Sequence, residues 1–101
     1  GIVRHMAAIL VIRERMVFED GAIIEIKVWR LPGPVPASRH RLKYSLYYGH
    51  GGERLVGYDN ERSKGDHRHY GEREERYRFR SIERLLADFK ADVERLRGEK
   101  I

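Results

Sequence analysis

Apolar and charged residues alternate from the first strand-like run onward. Beginning at Ala7, one side of a two-residue period holds Ala8, Leu10, Ile12, Met16 and Phe18. Arg13 and Arg15 take the other side, while Ile9, Val11 and Val17 make the run partly apolar on both. Glu19-Asp20-Gly21 reads as a turn, and the run from Ala22 to Leu31 sets Ile24, Ile26 and Val28 against Glu25, Lys27 and Trp29. Two period-two runs around a turn predict a β-hairpin. Pro32-Gly-Pro-Val-Pro36 then stops the pattern, because proline brings no N–H to a ladder. It is expected to be a stiff connector inside one domain. Leu42, Tyr44, Leu46 and Tyr48 alternate with Arg41, Lys43, Ser45 and Tyr47 in a third run. Gly49-His-Gly-Gly52 is the next hairpin turn, and Arg54 to Tyr58 returns as a fourth strand. Arg78 to Arg80 is expected to add a short extended piece, with Tyr77 and Phe79 facing opposite ways.

After Ser81 the period changes to that of a helix. Ile82, Leu85, Leu86, Phe89, Val93 and Leu96 form one apolar stripe. Ser81 offers an N-cap oxygen, Glu83 suits the positive end of the helix dipole, and Gly98 ends the helix. The predicted class is α+β: an antiparallel sheet of about four strands with one C-terminal amphipathic helix packed on one face. Residues 6–101 read as a single domain, and residues 1–5, ahead of Met6, as an expression scar outside it. A sheet covered on one face leaves the other open, and the alternation puts Lys27, Trp29, Arg41, Lys43 and Tyr47 there. Cations interleaved with aromatics on an open sheet hold phosphates and stack splayed bases. A simply solvated face has the same composition.

Composition narrows the chemistry. The chain has 101 residues, no cysteine and a formal charge of +5. Disulfides, thiolate metal sites and a cysteine nucleophile are thereby excluded, and no apolar run reaches the roughly 20 residues of a membrane span. A cytoplasmic location is expected. The charge is uneven: residues 1–38 carry +1, residues 39–80 carry +4, and residues 81–101 are neutral. A central basic excess points to a polyanionic partner, nucleic acid first.

That excess surrounds Val56-Gly-Tyr-Asp-Asn-Glu-Arg-Ser-Lys-Gly-Asp-His-Arg-His-Tyr-Gly71, which loses its hydrophobic period after Tyr58 and reads as a loop. In an extended segment His67 and His69 point the same way, about 6.5–7 Å apart. Two imidazoles at that spacing suit a phosphodiester, one taking the proton of a ribose 2′-hydroxyl and the other giving one to the leaving oxygen. Arg68 or Lys64 would neutralise the transition state and Tyr70 would donate a hydrogen bond. Asp59, Asn60 and Glu61 would shape the loop, and Asp66 would orient a histidine. This scheme is metal-independent and needs no cofactor. Alternatives stay open: His-x-His with Asp66, Asp59 or His40 as metal ligands, Asp59 with Glu61 on magnesium, or a charged turn with no chemistry.

Phe18-Glu-Asp-Gly-Ala-Ile-Ile-Glu-Ile-Lys-Val-Trp-Arg-Leu-Pro32, Val56-Gly-Tyr-Asp-Asn-Glu-Arg, Lys64-Gly-Asp-His-Arg-His and Tyr77-Arg-Phe-Arg-Ser-Ile-Glu together resemble the TumE family. These are small prokaryotic toxins of type II toxin–antitoxin pairs, and the likeness runs from Met6 to about Gly98. It implies a growth-inhibiting protein with a cognate antitoxin that carries a helix-turn-helix domain. The roles of His67 and His69 rest on spacing instead. The combined expectation is a toxin acting as an endoribonuclease on RNA; the alternatives are a non-catalytic binding module neutralised by the antitoxin and a metal-dependent phosphodiesterase using His67 and His69. An exposed edge strand would offer an antitoxin segment a pairing site.

Overall fold

The computed structural model describes residues 8–35, 37–61 and 64–101. The expected scar at residues 1–5, and Ala7 where the first run begins, lie outside the described residues. Six antiparallel strands form one sheet in sequence order: β1 (Ile9–Val17), β2 (Ile23–Arg30), β3 (Leu42–His50), β4 (Glu53–Asp59), β5 (His67–Tyr70) and β6 (Arg73–Arg76). One helix, α1 (Ile82–Arg97), follows. The α+β class and the C-terminal helix are as expected.

The strand count is not. The sheet has six strands where about four were expected, and both additions come from charged sequence. β5 lies in the stretch read as a loop, and β6 is Arg-Glu-Glu-Arg. Neither shows an apolar alternation, because one face of each meets a polar cleft instead of the core. Gly71 joins them with φ of 61°, a conformation that two-residue hairpins with glycine at the first central position require. The extended piece expected at Arg78 to Arg80 is not a strand.

Even-numbered residues of β2, β3 and β4 face α1. Ile24, Val28, Tyr44, Leu46, Tyr48, Val56 and Tyr58 pack with Leu85, Phe89 and Val93 of the helix in one buried cluster. Each such side chain taken from water contributes roughly 1.5–3 kcal/mol. Ser81 caps α1, its Oγ accepting from the Arg84 N–H at 3.0 Å, and Gly98 closes it in the left-handed region. Leu96, counted in the apolar stripe, is 53% exposed. Polar residues inside the interface are paired: Tyr58 and Tyr70 both donate hydroxyl hydrogen bonds to Asp92, which also meets Arg95 at 2.9 Å. Burial and the bond to Asp92 push the Tyr58 hydroxyl well above its ordinary pKa. Arg97 reaches back to Asp20 and the Tyr48 hydroxyl, both at 3.1 Å, tying the helix end to the first hairpin. Among the described residues, no helix is long and apolar enough to cross a membrane.

Candidate functional site

Antiparallel register decides which side chains share a face. Arg13 pairs with Lys27, Lys27 with Ser45, Ser45 with Asp59 and Asp59 with His67, giving one row across five strands on the face away from α1. The next row runs through Glu25, Tyr47, Gly57, His69 and Glu74. Two adjacent rows thus converge on His67, His69, Asp59 and Glu74, which line a cleft of about 440 Å³. Ser45, Arg54, Glu61 and Lys64 complete its walls.

Asp59 is shared by both imidazoles. His67 Nε2 lies 2.9 Å from Asp59 Oδ1, and His69 Nε2 lies 3.3 Å from Asp59 Oδ2. The two rings meet edge to face at 4.9 Å between centroids, and both residues are buried, at 6% and 7% exposure. His67 Nδ1 sits 2.9 Å from the Gly65 carbonyl oxygen. A carbonyl only accepts, so Nδ1 carries the hydrogen and Nε2 is the nitrogen presented to Asp59. Gly65 is fixed in its turn: its φ is 79°, and a Cβ there would come within 2.8 Å of the Ala37 carbonyl oxygen. The Glu61 backbone N–H donates to Asp59 Oδ1 at 3.3 Å. Glu74, on the rim, stands 3.8 Å from His67 and 3.9 Å from His69. Arg54 lies across Gly57, where a Cβ would come 2.8 Å from its Cδ. Burial, and then the charge of Arg54, hold the His69 pKa below its ordinary value of 6.5, so the ring is neutral at pH 7.

The sequence placed His67 and His69 on one face, and they are. It expected a gap between them for a phosphate, whereas Asp59 occupies that position. Lys64 and Glu61 reach the cleft as well. Arg68 and Tyr70 do not. They alternate onto the helix side, where Arg68 meets Glu75 at 2.5 Å and Tyr70 meets Asp92 at 2.9 Å. Asp66 does hold a histidine, but that histidine is His40, at 2.8 Å. Asp66 also accepts from the Tyr44 hydroxyl at 2.8 Å. Asn60 is fully buried and locks the loop to β3, accepting from Tyr44 N–H at 3.0 Å and donating to the Leu42 carbonyl at 2.7 Å.

Lys27, Trp29, Lys43 and Tyr47 lie on the open face, and Trp29 pairs directly with Lys43. Arg41 is exposed just before β3, its carbonyl accepting from Leu31 N–H at 2.7 Å. Reasoning from sequence missed Glu74, Arg54 and Ser45 as members of the cleft. The findable signal was Tyr70-Gly71-Glu72-Arg73, whose glycine permits a hairpin that brings Glu74 opposite His69.

Comparison with curated proteins and with solved structures gives no match. A profile of the family described as Toxin TumE matches residues 2–97. With nearly the whole length accounted for, this chain belongs to the TumE toxin family.

Proposed function

We propose that this toxin is an endoribonuclease whose cleavage centre is the cleft formed by Asp59, His67, His69 and Glu74. The observation that carries this reading is the convergence of two buried imidazoles on one carboxylate, on the same sheet face as Lys27, Trp29, Lys43 and Tyr47. Neighbouring strands are about 4.8 Å apart, so Lys27 sits about 10 Å from Asp59 along its row. A strand of RNA laid across that face meets cations and aromatic rings before it reaches the cleft, which suits single-stranded RNA.

The reaction is a transesterification. The ribose 2′-oxygen attacks phosphorus, the bond to the 5′-oxygen breaks, and the products end in a 2′,3′-cyclic phosphate and a 5′-hydroxyl. Both Nε2 atoms already face Asp59, so Glu74 is the base free to take the 2′-hydroxyl proton, and its acid form returns a proton to the 5′-oxygen. Arg54 and Lys64 on the walls offset charge building on the phosphate oxygens. His67 presents Nε2 to a carboxylate, so a positive charge, whether a proton or a cation, has to sit between them. That charge faces the phosphate.

Membership of the toxin family implies an antitoxin partner, and here we take it to be the helix-turn-helix protein that the sequence resemblance implies. A 5′-labelled RNA incubated with the purified chain tests the activity. Fragments with cyclic-phosphate ends, lost in His69→Ala and in Glu74→Gln, support it. If both variants still arrest growth and no RNA is cut, the protein is a binding module and the nuclease reading falls.

A further inference from the structure

We propose that the Asp59–His67–His69 cluster chelates a divalent first-row transition cation of the zinc class. The inference deepens the nuclease reading by naming the charge at its centre, and its test is independent of RNA. Among the described residues this is the group of three histidine or acidic side chains whose ligand atoms all fall within 4.8 Å of one another. The carboxylate turns one oxygen to each imidazole, Oδ1 to His67 at 2.9 Å and Oδ2 to His69 at 3.3 Å, and each separation approaches the edge of roughly 3.3 Å expected of a tetrahedron with metal–ligand bonds near 2.0–2.1 Å.

Three further observations point the same way. The His67 Nδ1–H bond to the Gly65 carbonyl is the outer-shell contact that fixes a ligating imidazole, leaving Nε2 as the ligand atom. Without a cation, only a bound proton separates that Nε2 lone pair from the Asp59 oxygen. The second concerns charge. Asp59, Glu61 and Glu74 face Arg54 and Lys64 across the cleft, a net −1, which repels the phosphate that the open face attracts. A divalent ion turns the cleft to +1 and admits it. The third is the donor set. Two imidazoles and one carboxylate suit zinc, cobalt, nickel or iron; magnesium prefers an all-oxygen shell. Water would fill the fourth position and yield it to a phosphate oxygen, while Glu74 stays on the rim as the base.

The experiment titrates Zn²⁺ alone into chelator-stripped protein by calorimetry, with ¹⁵N spectra of the histidine rings recorded in parallel. One zinc per chain is expected, with shifts at Nε2 of His67 and His69 and none at His40 or His50. Asp59→Asn and His69→Gln should each weaken binding at least about 100-fold, more than the 10–100-fold typical of losing an outer-shell partner; His50→Gln should not change it. Circular dichroism establishes that each variant is folded. Should neither fold, the histidine shifts in the wild-type protein decide the matter alone. No saturable zinc binding, binding that survives both variants, shifts confined to His40, or a preference for Mg²⁺ over Zn²⁺ each overturns the inference. Zinc bound at this site without RNA cleavage strikes the nuclease reading alone. Cleavage in excess chelator by a protein that binds no zinc strikes the cation alone.

Discussion

Removing the Asn60 side chain should loosen both the fold and the cleft. Asn60 is fully buried, with one amide accepting from Tyr44 N–H at 3.0 Å and donating to the Leu42 carbonyl at 2.7 Å. Asn60→Ala orphans both backbone groups at the start of β3, and each unsatisfied buried group costs roughly 1–3 kcal/mol. Partial entry of water into the space left behind brings the total to about 3 kcal/mol, and for a domain of this size that lowers Tm by roughly 12–24 °C. Asn60→Asp separates the two bonds. Its ionised carboxylate keeps the bond from Tyr44 but sets a second oxygen against the Leu42 carbonyl. When protonated, it donates there instead. The folded-state pKa of that new carboxyl is therefore raised. Its contribution to stability is full below the unfolded carboxyl pKa near 3.9 and is lost as pH rises through the folded value. Urea unfolding followed by circular dichroism between pH 4 and 8 reads both effects. If Asn60→Ala costs under about 1 kcal/mol, or Asn60→Asp follows the wild-type pH profile, the lock assigned to Asn60 is wrong.

Other consequences are equally open to measurement. Lys27→Ala with Lys43→Ala should weaken RNA binding evenly across sequences and reduce the salt slope of log K by about 1.4, at about 0.7 for each phosphate of a single strand that is no longer neutralised, as read by fluorescence anisotropy. An unchanged slope would take RNA off the open face. Tyr70→Phe should leave cleavage within a few-fold of wild type while lowering stability by about 1 kcal/mol, because its hydroxyl serves Asp92 on the helix side. A loss comparable to that of His69→Ala would reverse this placement. In chelator-stripped protein, the His69 ring should titrate below 6.5 in a proton NMR series. The unfolded chain then binds that proton more readily than the folded one, so His69 lowers stability as pH falls from about 6.5 towards its folded value. A midpoint above 6.5 would contradict its burial against Arg54.

The sequence was most readable where one face of an element meets the core. Ile24, Val28, Tyr44 and Leu46 alternate because they touch α1, and Ser81 and Gly98 mark the helix ends because capping is local chemistry. β5 and β6 were unreadable by that rule. His67 and His69 line a polar cleft on the face away from α1, and Arg68 takes a helix-side place where an apolar residue would sit in an ordinary strand, so no hydrophobic period survives. The shared face of His67 and His69 followed from strand geometry. Asp59 between them did not, since its position depends on the pairing of β4 with β5, a long-range register. Arg68 and Tyr70 were grouped with the histidines by proximity in sequence, when the same alternation turns them away.

β5 is four residues long and meets its neighbours in a single pairing scheme. Sliding it by one position would exchange every side chain between the two sides, sending both imidazoles into the helix and bringing Arg68 and Tyr70 out. No intermediate alignment holds half a centre. The cleft is therefore assembled as a whole or not at all, and only once the last hairpin of the sheet has closed in register.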